Sequence, residues 1–453
     1  MKWAWAGKVL AVSGTGIVLA IVLARIGFLI DERQGYQSEA AQSVAESLAG
    51  AQTLVGPVLR RDCAETWTTA RSDSSRDAAV GDDRREFALQ ALPARLKVDG
   101  DSRTDLRYRG IFKVNGYQAR LRLAAHWDDL AALDAKPQHE GGRVECGPLR
   151  LWFATADVRG LRSAELTVDG QPLPVRPGLG HPSPLNGLHA EIGARTAGAV
   201  DALLQVDLVG TAQLALVPVA DRNEWALRSD WPHPSFGGRF LPADRVVHDN
   251  GFEAQWRVSA LATSAGRAVR SGLPLCRTDR RTYAAPAAAG ECLDTLAVDF
   301  VDPVNPYTLA DRAVKYGLLY VLLTFVAVGL VEALARDRVR RVHPVQYGLV
   351  GLTMCLFFLL LLSLSEHLAF GTAYGIATAA CVPLLAVYAR HMLGRTVDGL
   401  WFGAGVGALY GLMYLLLQRE QTALLIGSLG LFAVVAAVML ATRRTDWYAL
   451  AAR

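Results

Sequence analysis

The sequence lacks the short-range pairs of metal-binding residues that structural zinc sites use. It has six cysteines and nine histidines, yet it contains no CxxC pair and no Cys/His cluster. Ser235 lacks the nucleophile-elbow context of a serine hydrolase. We therefore predict no metal site, no cofactor and no catalytic residue, and we expect that the protein is not an enzyme.

The apolar part of the chain also lacks two features of secondary transporters. It shows no repeated halves and no pair of interrupted apolar segments. A transporter is therefore the less favoured interpretation.

Long apolar runs are abundant instead. Hydrophobic residues make up 51% of the chain, and the mean hydropathy is +0.21. A helix needs about 20 apolar residues to cross a bilayer. The candidate spans are Val9–Ile30, Tyr316–Leu334, Gln346–Leu364, Ala373–Ala389, Leu400–Leu417 and Ala423–Leu440.

Basic residues are concentrated at alternate ends of these spans. They are Lys2, Lys8, Arg336, Arg338, Arg340, Arg341, Arg390, Arg395, Arg443, Arg444 and Arg453. Because basic residues in short loops mark the cytoplasmic side, we predict that both termini are cytoplasmic and that the long polar segment lies outside. This topology also excludes nucleic-acid binding, since the membrane already explains the basic loops.

The first apolar segment is longer than the core of an ordinary signal peptide. Ala20 leads into further apolar residues rather than into a polar mature start. We therefore interpret the segment as an uncleaved anchor.

These observations divide the chain into four parts. We predict a transmembrane anchor at 1–31, a stalk helix at 32–55, a β-rich domain at 56–310 and a five-helix transmembrane bundle at 311–453. Tyr36, Ala40, Val44 and Leu48 follow a helical period in the stalk, and Gly56-Pro57 is expected to end that helix.

The exported domain has the pattern of a β-sandwich. Tyr117–Trp127, Leu203–Val209 and Ala212–Val217 are expected to form strands. Asp169-Gly170 and Asp249-Asn250-Gly251 are typical of hairpin turns. Many short strands with turn signals favour a sandwich-like fold of two sheets.

Four cysteines lie in the exported domain, and an even number in an oxidising compartment favours disulfides. Cys276 and Cys292 would close a short loop, which leaves Cys63 with Cys146. The spacing alone leaves other pairings open.

A proline- and glycine-rich segment within the domain is a candidate binding loop. Trp231, His233, Phe236 and Arg239 are its candidate contact residues. Three prolines and two glycines predict irregular backbone for most of the segment. Two interpretations stay open: a rigid loop that binds a ligand or partner, and a crossover that its aromatic residues hold in the core.

A polar cluster ends the third span. Glu366 and His367 follow a long apolar run, and Arg419 is expected on the same outer face, where it could pair with Glu366. Glu332 is an ionisable residue inside a span, which makes it a functional candidate, although Arg336 follows at helical spacing. For each, a functional role and a structural role both stay open.

Several segments are long enough to be characteristic of a family. They are Arg312-Ala313-Val314-Lys315-Tyr316-Gly317, Leu323-Thr324-Phe325, His343-Pro344-Val345-Gln346-Tyr347, Leu362-Ser363-Leu364-Ser365-Glu366-His367, Thr442-Arg443-Arg444-Thr445-Asp446-Trp447-Tyr448, Trp231–Pro242 and Gln52–Pro57. In these segments, and over nearly its whole length, the chain resembles the CreD family of bacterial inner-membrane proteins.

The resemblance implies a role in an envelope stress response under a two-component regulon, with effects on envelope integrity, colicin tolerance and the β-lactam response. It supplies no catalytic residue. We predict a non-enzymatic inner-membrane envelope protein whose periplasmic domain binds a periplasmic protein or an envelope precursor, with the lipid bilayer as its other partner. The alternative is an enzyme or transporter that handles a lipid or envelope precursor at the periplasmic membrane face.

Overall fold

The computed structural model describes residues 2–71, 79–183, 185–272, 293–300, 302, 305–334, 342–419 and 423–443. The chain forms two compact units. The helical unit comprises Met1–Ser38 and Val304–Arg453, and the β unit comprises Glu39–Pro303. The predicted order of an amino-terminal apolar helix, a β-rich domain and a carboxyl-terminal group of apolar helices is confirmed.

The helices are α1 Lys2–Ser47, α2 Ala265–Arg270, α3 Pro306–Leu334, α4 Pro344–Ser365, α5 Phe370–Leu393, α6 Thr396–Gln418 and α7 Ala423–Thr442. The strands are β1 Gln52–Arg71, β2 Ala79–Ala91, β3 Arg95–Arg109, β4 Phe112–Trp127, β5 Arg143–Cys146, β6 Leu149–Thr155, β7 Leu161–Val168, β8 Gln171–Leu173, β9 Arg176–Pro177, β10 Asn186–Gly193, β11 Val200–Thr211, β12 Gln213–Leu216, β13 Arg222–Ser229, β14 Pro234–Gly238, β15 Asp244–His248, β16 Gly251–Ser259 and β17 Leu296–Phe300.

The β unit contains two mixed sheets. One has nine strands, with β14-β17-β12-β1-β6-β10-β9 in order and with β2 and β5 paired to β1. The other has eight strands in the order β15-β16-β13-β3-β4-β11-β7-β8. Most pairs are antiparallel, and β1–β12 and β13–β3 are parallel.

Alternation of apolar and polar residues decides which face of each sheet is buried. In β3, Leu96 and Val98 are buried whereas Lys97 and Asp99 are exposed. Because successive side chains in a strand point to opposite faces, one face of each sheet contributes to a common core. That core includes residues from both sheets, as a two-sheet fold requires.

Both predicted hairpin turns are present. Asp169 and Gly170 join β7 to β8 with φ of 49° and 79°, as a turn with two left-handed residues requires. The second hairpin pairs β15 with β16, and His248 lies opposite Gly251.

Gly56-Pro57 has a different role from the predicted one. The expectation that it ends the stalk helix is wrong, because α1 ends at Ser47 and the dipeptide lies inside β1. The pairing of β1 with β6 shifts register between Val55 and Val58, and Gly56 has φ of 98°. A glycine and a proline fit such a bulge, where the backbone leaves the ladder.

Five helices of the described chain are long and apolar enough to cross a membrane: α1, α3, α4, α5 and α6. The sixth predicted span lies in α7, whose apolar part, Leu425–Leu440, is shorter. Pro344 occupies the first turn of α4, and His343 caps this helix. The Gln346 side chain accepts a hydrogen bond from the His343 amide at 2.9 Å, which satisfies a donor that the helix itself leaves free.

Candidate functional site

The carboxylate of Glu366 lies among donors from two other helices. Glu366 caps the end of α4, and its Oε1 is 3.6 Å from Nε of Arg33 on α1. Tyr307, in the first turn of α3, donates its hydroxyl to the same oxygen at 3.4 Å. We call Arg33, Tyr307 and Glu366 the Glu366 cluster. It joins α1, α3 and α4 at one end of the helical unit.

A second contact beside this cluster joins α1 to the start of α3. Asn305 donates from Nδ2 to Oε1 of Gln37 at 3.0 Å, and its Oδ1 accepts from the Tyr307 amide at 3.0 Å. The Glu366 side chain is only 12% exposed, so its charge is largely withdrawn from solvent.

The other two members of the predicted polar site lie apart from these contacts. His367 is exposed, and only its amide, which donates to Leu364, has a described hydrogen bond. Arg419 is exposed at the end of α6, and the described ion pairs of Glu366 include Arg33 but not Arg419. Sequence reasoning missed Arg33. The sequence does contain an indication: Arg33 follows the first predicted span, on the side of the membrane where Glu366 is also predicted.

Glu332 has the corresponding position at the other end of the helical unit. It forms an ion pair with Lys8 of α1, accepts from the Tyr347 hydroxyl at 3.2 Å and accepts from the Val342 amide at 3.3 Å. Its predicted partner Arg336 lies outside the described residues. With both oxygens engaged, Glu332 connects α1, α3 and α4.

The segment around Trp231 contains a strand where irregular backbone was predicted. Most of the segment has irregular backbone, as predicted, and the exception is Pro234–Gly238, which forms β14 at the edge of the nine-stranded sheet and pairs with β17. A proline can begin an edge strand because its missing N–H faces away from the ladder.

The aromatic side chains of this segment pack against the β unit. Trp231 is 7% exposed, and its Nε1 donates to the carbonyl of His233 at 2.9 Å. Phe236 lies edge-on to Phe252, with ring centroids 5.6 Å apart. His233 is exposed, and Arg239 pairs with Asp294 at 3.4 Å.

The structure contains the Cys63–Cys146 disulfide, which joins β1 to β5. Cys276 and Cys292 lie outside the described residues, so their predicted pairing stays a prediction. Among the residues described, no group of three or more His, Cys, Asp or Glu side chains is placed to hold a metal ion.

A buried carboxylate lies two residues beyond Cys63. Glu65 has no exposed side-chain surface, and its Oε1 accepts from the amides of Gln138 and His139 at 2.7 and 2.8 Å. The His139 ring stacks on Trp67 at 3.7 Å. The hydrogen bond from the His139 amide holds the pKa of Glu65 below its usual value.

The most extensive polar feature lies on the solvent face of the eight-stranded sheet. Strand register brings five charged residues into one transverse row that runs Glu253, Arg228, Asp101, Arg120, Asp207. The sign alternates at every step. We call these five residues the charge row.

Contacts along the charge row fix its side chains. Arg120 donates from Nε to Asp207 at 2.9 Å, and Ser163 donates to the other oxygen of Asp207 at 2.9 Å. Arg228 lies 3.9 Å from Asp101. The hydrogen bond between Arg120 and Asp207 raises the pKa of the arginine and lowers that of the aspartate.

The charge row crosses the floor of an open groove of about 840 Å³. Arg103, Gln118, Arg162, Asp230 and His248 also line the groove. Asp230 accepts from the amide and hydroxyl of Thr104 at 2.7 and 2.8 Å. No described residue forms an ion pair with Arg103 or Arg162. The groove therefore presents fixed charges of both signs together with two arginines that are open to a partner.

Sequence reasoning did not find this groove. The alternation at Arg120-Leu121-Arg122-Leu123 indicates a strand with a charged face. Which charges stand beside Arg120 depends on the register of strands that are far apart in the chain.

Comparison with known proteins gives the family. The family model "Inner membrane protein CreD" matches residues 4–448. The chain is 32% identical over 447 residues to the inner membrane protein CreD of Escherichia coli K12, covering 98% of this chain and 93% of that protein.

Solved structures add little. Leukotriene A4 hydrolase from Saccharomyces cerevisiae matches 36% of this chain and 27% of its own, at 10% identity and a TM-score of 0.19. The same enzyme in complex with bestatin gives a TM-score of 0.18. We draw neither fold nor function from likeness at this level. The family match and the apolar helices together identify a multi-pass protein of the inner membrane, and the chain belongs to the CreD family.

Proposed function

We propose that this protein is a non-enzymatic component of the cell envelope whose β unit faces the periplasm and binds a periplasmic partner. The observation that carries the proposal is the groove with its charge row. The β unit would recognise the partner, and the apolar helices would hold the β unit at the inner membrane.

The chemistry of the groove favours a charged, extended partner. Small-molecule pockets are mostly apolar with a few polar groups, whereas this groove is crossed by alternating charges. Neighbouring strands are about 4.8 Å apart, so five charges in register extend over roughly 19 Å. A protein segment with charges of both signs fits that pattern. Complementary charges of this kind give a partner its register and exclude wrong partners.

The orientation of the β unit is part of the proposal. The basic residues at alternate ends of the spans support cytoplasmic termini. With a cytoplasmic amino terminus, one span places the β unit in the periplasm.

The contacts of Glu366 and Glu332 support binding rather than catalysis. Glu332 accepts from Lys8 and Tyr347 on two other helices. Glu366 accepts from Tyr307 and forms an ion pair with Arg33, again on two other helices. These contacts account for both largely buried carboxylates without a catalytic role. We therefore assign both residues a structural role.

The test exchanges the positive and the negative residue of one neighbouring pair in the charge row. The double variant Arg120→Asp/Asp207→Arg keeps an ion pair at the same two positions but inverts its direction. The matched control is Lys97→Asp/Asp99→Lys, which inverts an exposed pair on β3, 3.5 Å apart, outside the groove. Both variants are expressed in a strain that lacks its own copy, and β-lactam susceptibility and colicin tolerance are measured.

We expect the Arg120→Asp/Asp207→Arg variant to lose complementation at normal abundance, whereas the control complements fully. If both variants complement as the unaltered protein does, the groove is not the binding surface. Loss in both variants would assign the effect to general damage of the sheet surface and would also contradict the proposal.

A further inference from the structure

The hairpin formed by β3 and β4 extends beyond the core of the β unit. The alternation of buried and exposed residues in β3 stops after Arg103, and every residue from Leu106 to Gly110 is exposed. Pairing continues to Arg109 opposite Phe112. The tip is therefore a two-stranded ribbon whose outer part has both faces open, and an isolated ribbon of this kind gains little stability from its own contacts.

The ribbon tip exposes large apolar side chains. Leu106 is 43% exposed, Tyr108 65% and Ile111 45%. Leu106 and Tyr108 continue the row of core-facing positions in β3 beyond the point where the core ends. Exposed apolar side chains that are grouped in this way mark surfaces that contact a protein or a membrane. We therefore expect this tip to have a partner.

Basic residues surround these apolar side chains. Arg107 pairs with Asp105 at 2.6 Å, and Lys113 lies 3.6 Å from Asp302. Arg109, at the last paired position of β3, forms no ion pair with any residue that the structure describes. The tip thus combines apolar side chains, a tyrosine and an excess of positive charge.

The base of the hairpin lies beside both chain segments that lead to membrane spans. Asn115 donates to the carbonyl of Phe300 at 3.4 Å, and Lys113 faces Asp302. The chain from Asp302 to Pro306, the first residue of a span, extends at most about 14 Å. On the other face, a Cβ at Gly116 would lie 3.8 Å from Leu48, one residue beyond the end of α1.

We propose that the tip of this hairpin, Leu106–Lys113, docks into the headgroup layer of the bilayer that holds the spans. Tyrosine is enriched at membrane interfaces, and Ile111 and Leu106 can enter the edge of the hydrocarbon region. Arg109 then faces lipid phosphates, so the ligand is an anionic phospholipid surface. This inference is independent of the groove and of its partner.

A lipid surface explains the composition better than a protein partner does. Protein interfaces are depleted of lysine and surround apolar residues with a balanced polar rim. Here the flanking charges are of one sign apart from the two aspartates that pair with them, as in surfaces that bind anionic lipid.

The experiment measures the depth of the tip in nanodiscs. In the full chain, Ile111→p-azidophenylalanine is coupled to a nitrobenzoxadiazole fluorophore, which avoids the native cysteines. The discs contain phosphatidylcholine and phosphatidylglycerol in equal amounts. A shallow spin-labelled phospholipid serves as the lipid quencher and iodide as the aqueous quencher. The control position is Leu261, an apolar residue that is 99% exposed on the same unit.

We expect the lipid quencher to reduce emission at position 111 several-fold more than at position 261, with the opposite order for iodide. Equal quenching at the two positions by both reagents would overturn the proposal. Protection of position 111 from both quenchers would also overturn it, because a protein surface would then cover the tip.

A charge variant tests the anionic component separately. Arg109→Glu is expected to lower lipid quenching at position 111 in the mixed discs and to have a smaller effect in discs of phosphatidylcholine alone. The matched control is Arg176→Glu, an exposed arginine on β9 in the other sheet, which should leave quenching unchanged. An identical effect of Arg109→Glu in both lipid compositions would contradict a role for lipid charge.

Discussion

Arg33 on α1 and Glu366 at the end of α4 form an ion pair, with Nε of the arginine 3.6 Å from Oε1 of the glutamate. The contact joins the first helix of the chain to a helix that follows the whole β unit. Tyr307 donates to the same carboxylate from α3. Glu366 therefore connects the end of α4 to α3 and to α1, which is distant in sequence.

Removing that acceptor should loosen this end of the helical unit. Glu366→Ala removes one acceptor of the Tyr307 hydroxyl and the ion-pair partner of Arg33, whose side chain is 39% exposed. We expect the free energy of unfolding to fall by about 2 kcal/mol, as for the loss of other hydrogen bonds to charged groups. Thermal unfolding in nanodiscs measures it. His367→Ala is the control, because this neighbour is exposed, and an equal loss in both variants would contradict the assigned role.

Close packing of α5 against α6 gives a second prediction. A Cβ at Gly403 would lie 2.6 Å from Cβ of Ala386, whereas a Cβ at Gly405 would meet no atom within 4 Å. The added methyl group of Gly403→Ala must push α5 and α6 apart. We expect this substitution to lower the free energy of unfolding by about 2 kcal/mol. Gly405→Ala on the same helix should be neutral or slightly stabilising. Thermal unfolding of the two variants side by side decides the matter, and equal midpoints would disprove the packing argument.

The disulfide between Cys63 and Cys146 should stabilise the β unit through its unfolded chain. The bond joins residues 83 apart in sequence, and closing a loop of that length contributes about 4.5 kcal/mol in the chain-entropy model. Cys63→Ser/Cys146→Ser should shift the urea midpoint of tryptophan fluorescence to lower concentration. Cys355→Ala/Cys381→Ala, which alters the buried cysteines of the spans, should leave that midpoint in place.

Glu65 should make the β unit sensitive to acid. Amide hydrogen bonds lower its pKa in the folded protein below the value of 4.5 that serves as the unfolded reference. A lowered folded pKa means that its contribution to stability is complete above about pH 4.5 and is lost as the pH falls through the folded pKa. The free energy of unfolding of the unaltered protein, measured in urea, should therefore fall in that acid range. The free energy of unfolding of Glu65→Gln should fall less.

The control for this pH dependence is Glu145→Gln on the adjacent strand. Glu145 is 73% exposed, and its ion pair within the described part of the chain is with Arg143, at 3.4 Å. Glu145→Gln should leave the dependence of the free energy of unfolding on pH unchanged. If Glu65→Gln and the unaltered protein lose stability in parallel below pH 4.5, another carboxylate controls the transition.

Local patterns predicted much of the fold. Alternating residues predicted β4, and Asp169-Gly170 predicted the turn between β7 and β8, because both signals depend on neighbouring residues only. Gly56-Pro57 misled for the same reason. A glycine followed by a proline does indicate an interruption of regular backbone. Here the interruption is a bulge inside a long strand and not the end of a helix.

The charge row and the contacts of Glu366 could not be predicted in the same way. Arg120 and Asp207 are opposite each other because β4 pairs with β11 in one register, and register depends on the buried faces of both strands. Arg33 and Glu366 meet because three helices pack together. A sequence indicates that these residues are charged, but their partners depend on tertiary packing.

The two ends of the helical unit have a consequence for the surrounding lipid. Lys8 pairs with Glu332 at one end of α1 and α3, and Arg33 and Tyr307 meet at Glu366 at the other. The stretches from Lys8 to Arg33 and from Tyr307 to Glu332 both rise roughly 37 Å at the α-helical rise per residue. Two antiparallel helices of equal length, tied at both ends, cannot slide past each other to suit a thinner or thicker bilayer. A mismatch in thickness must therefore be met by a tilt of both helices together or by a change in the thickness of the surrounding lipid.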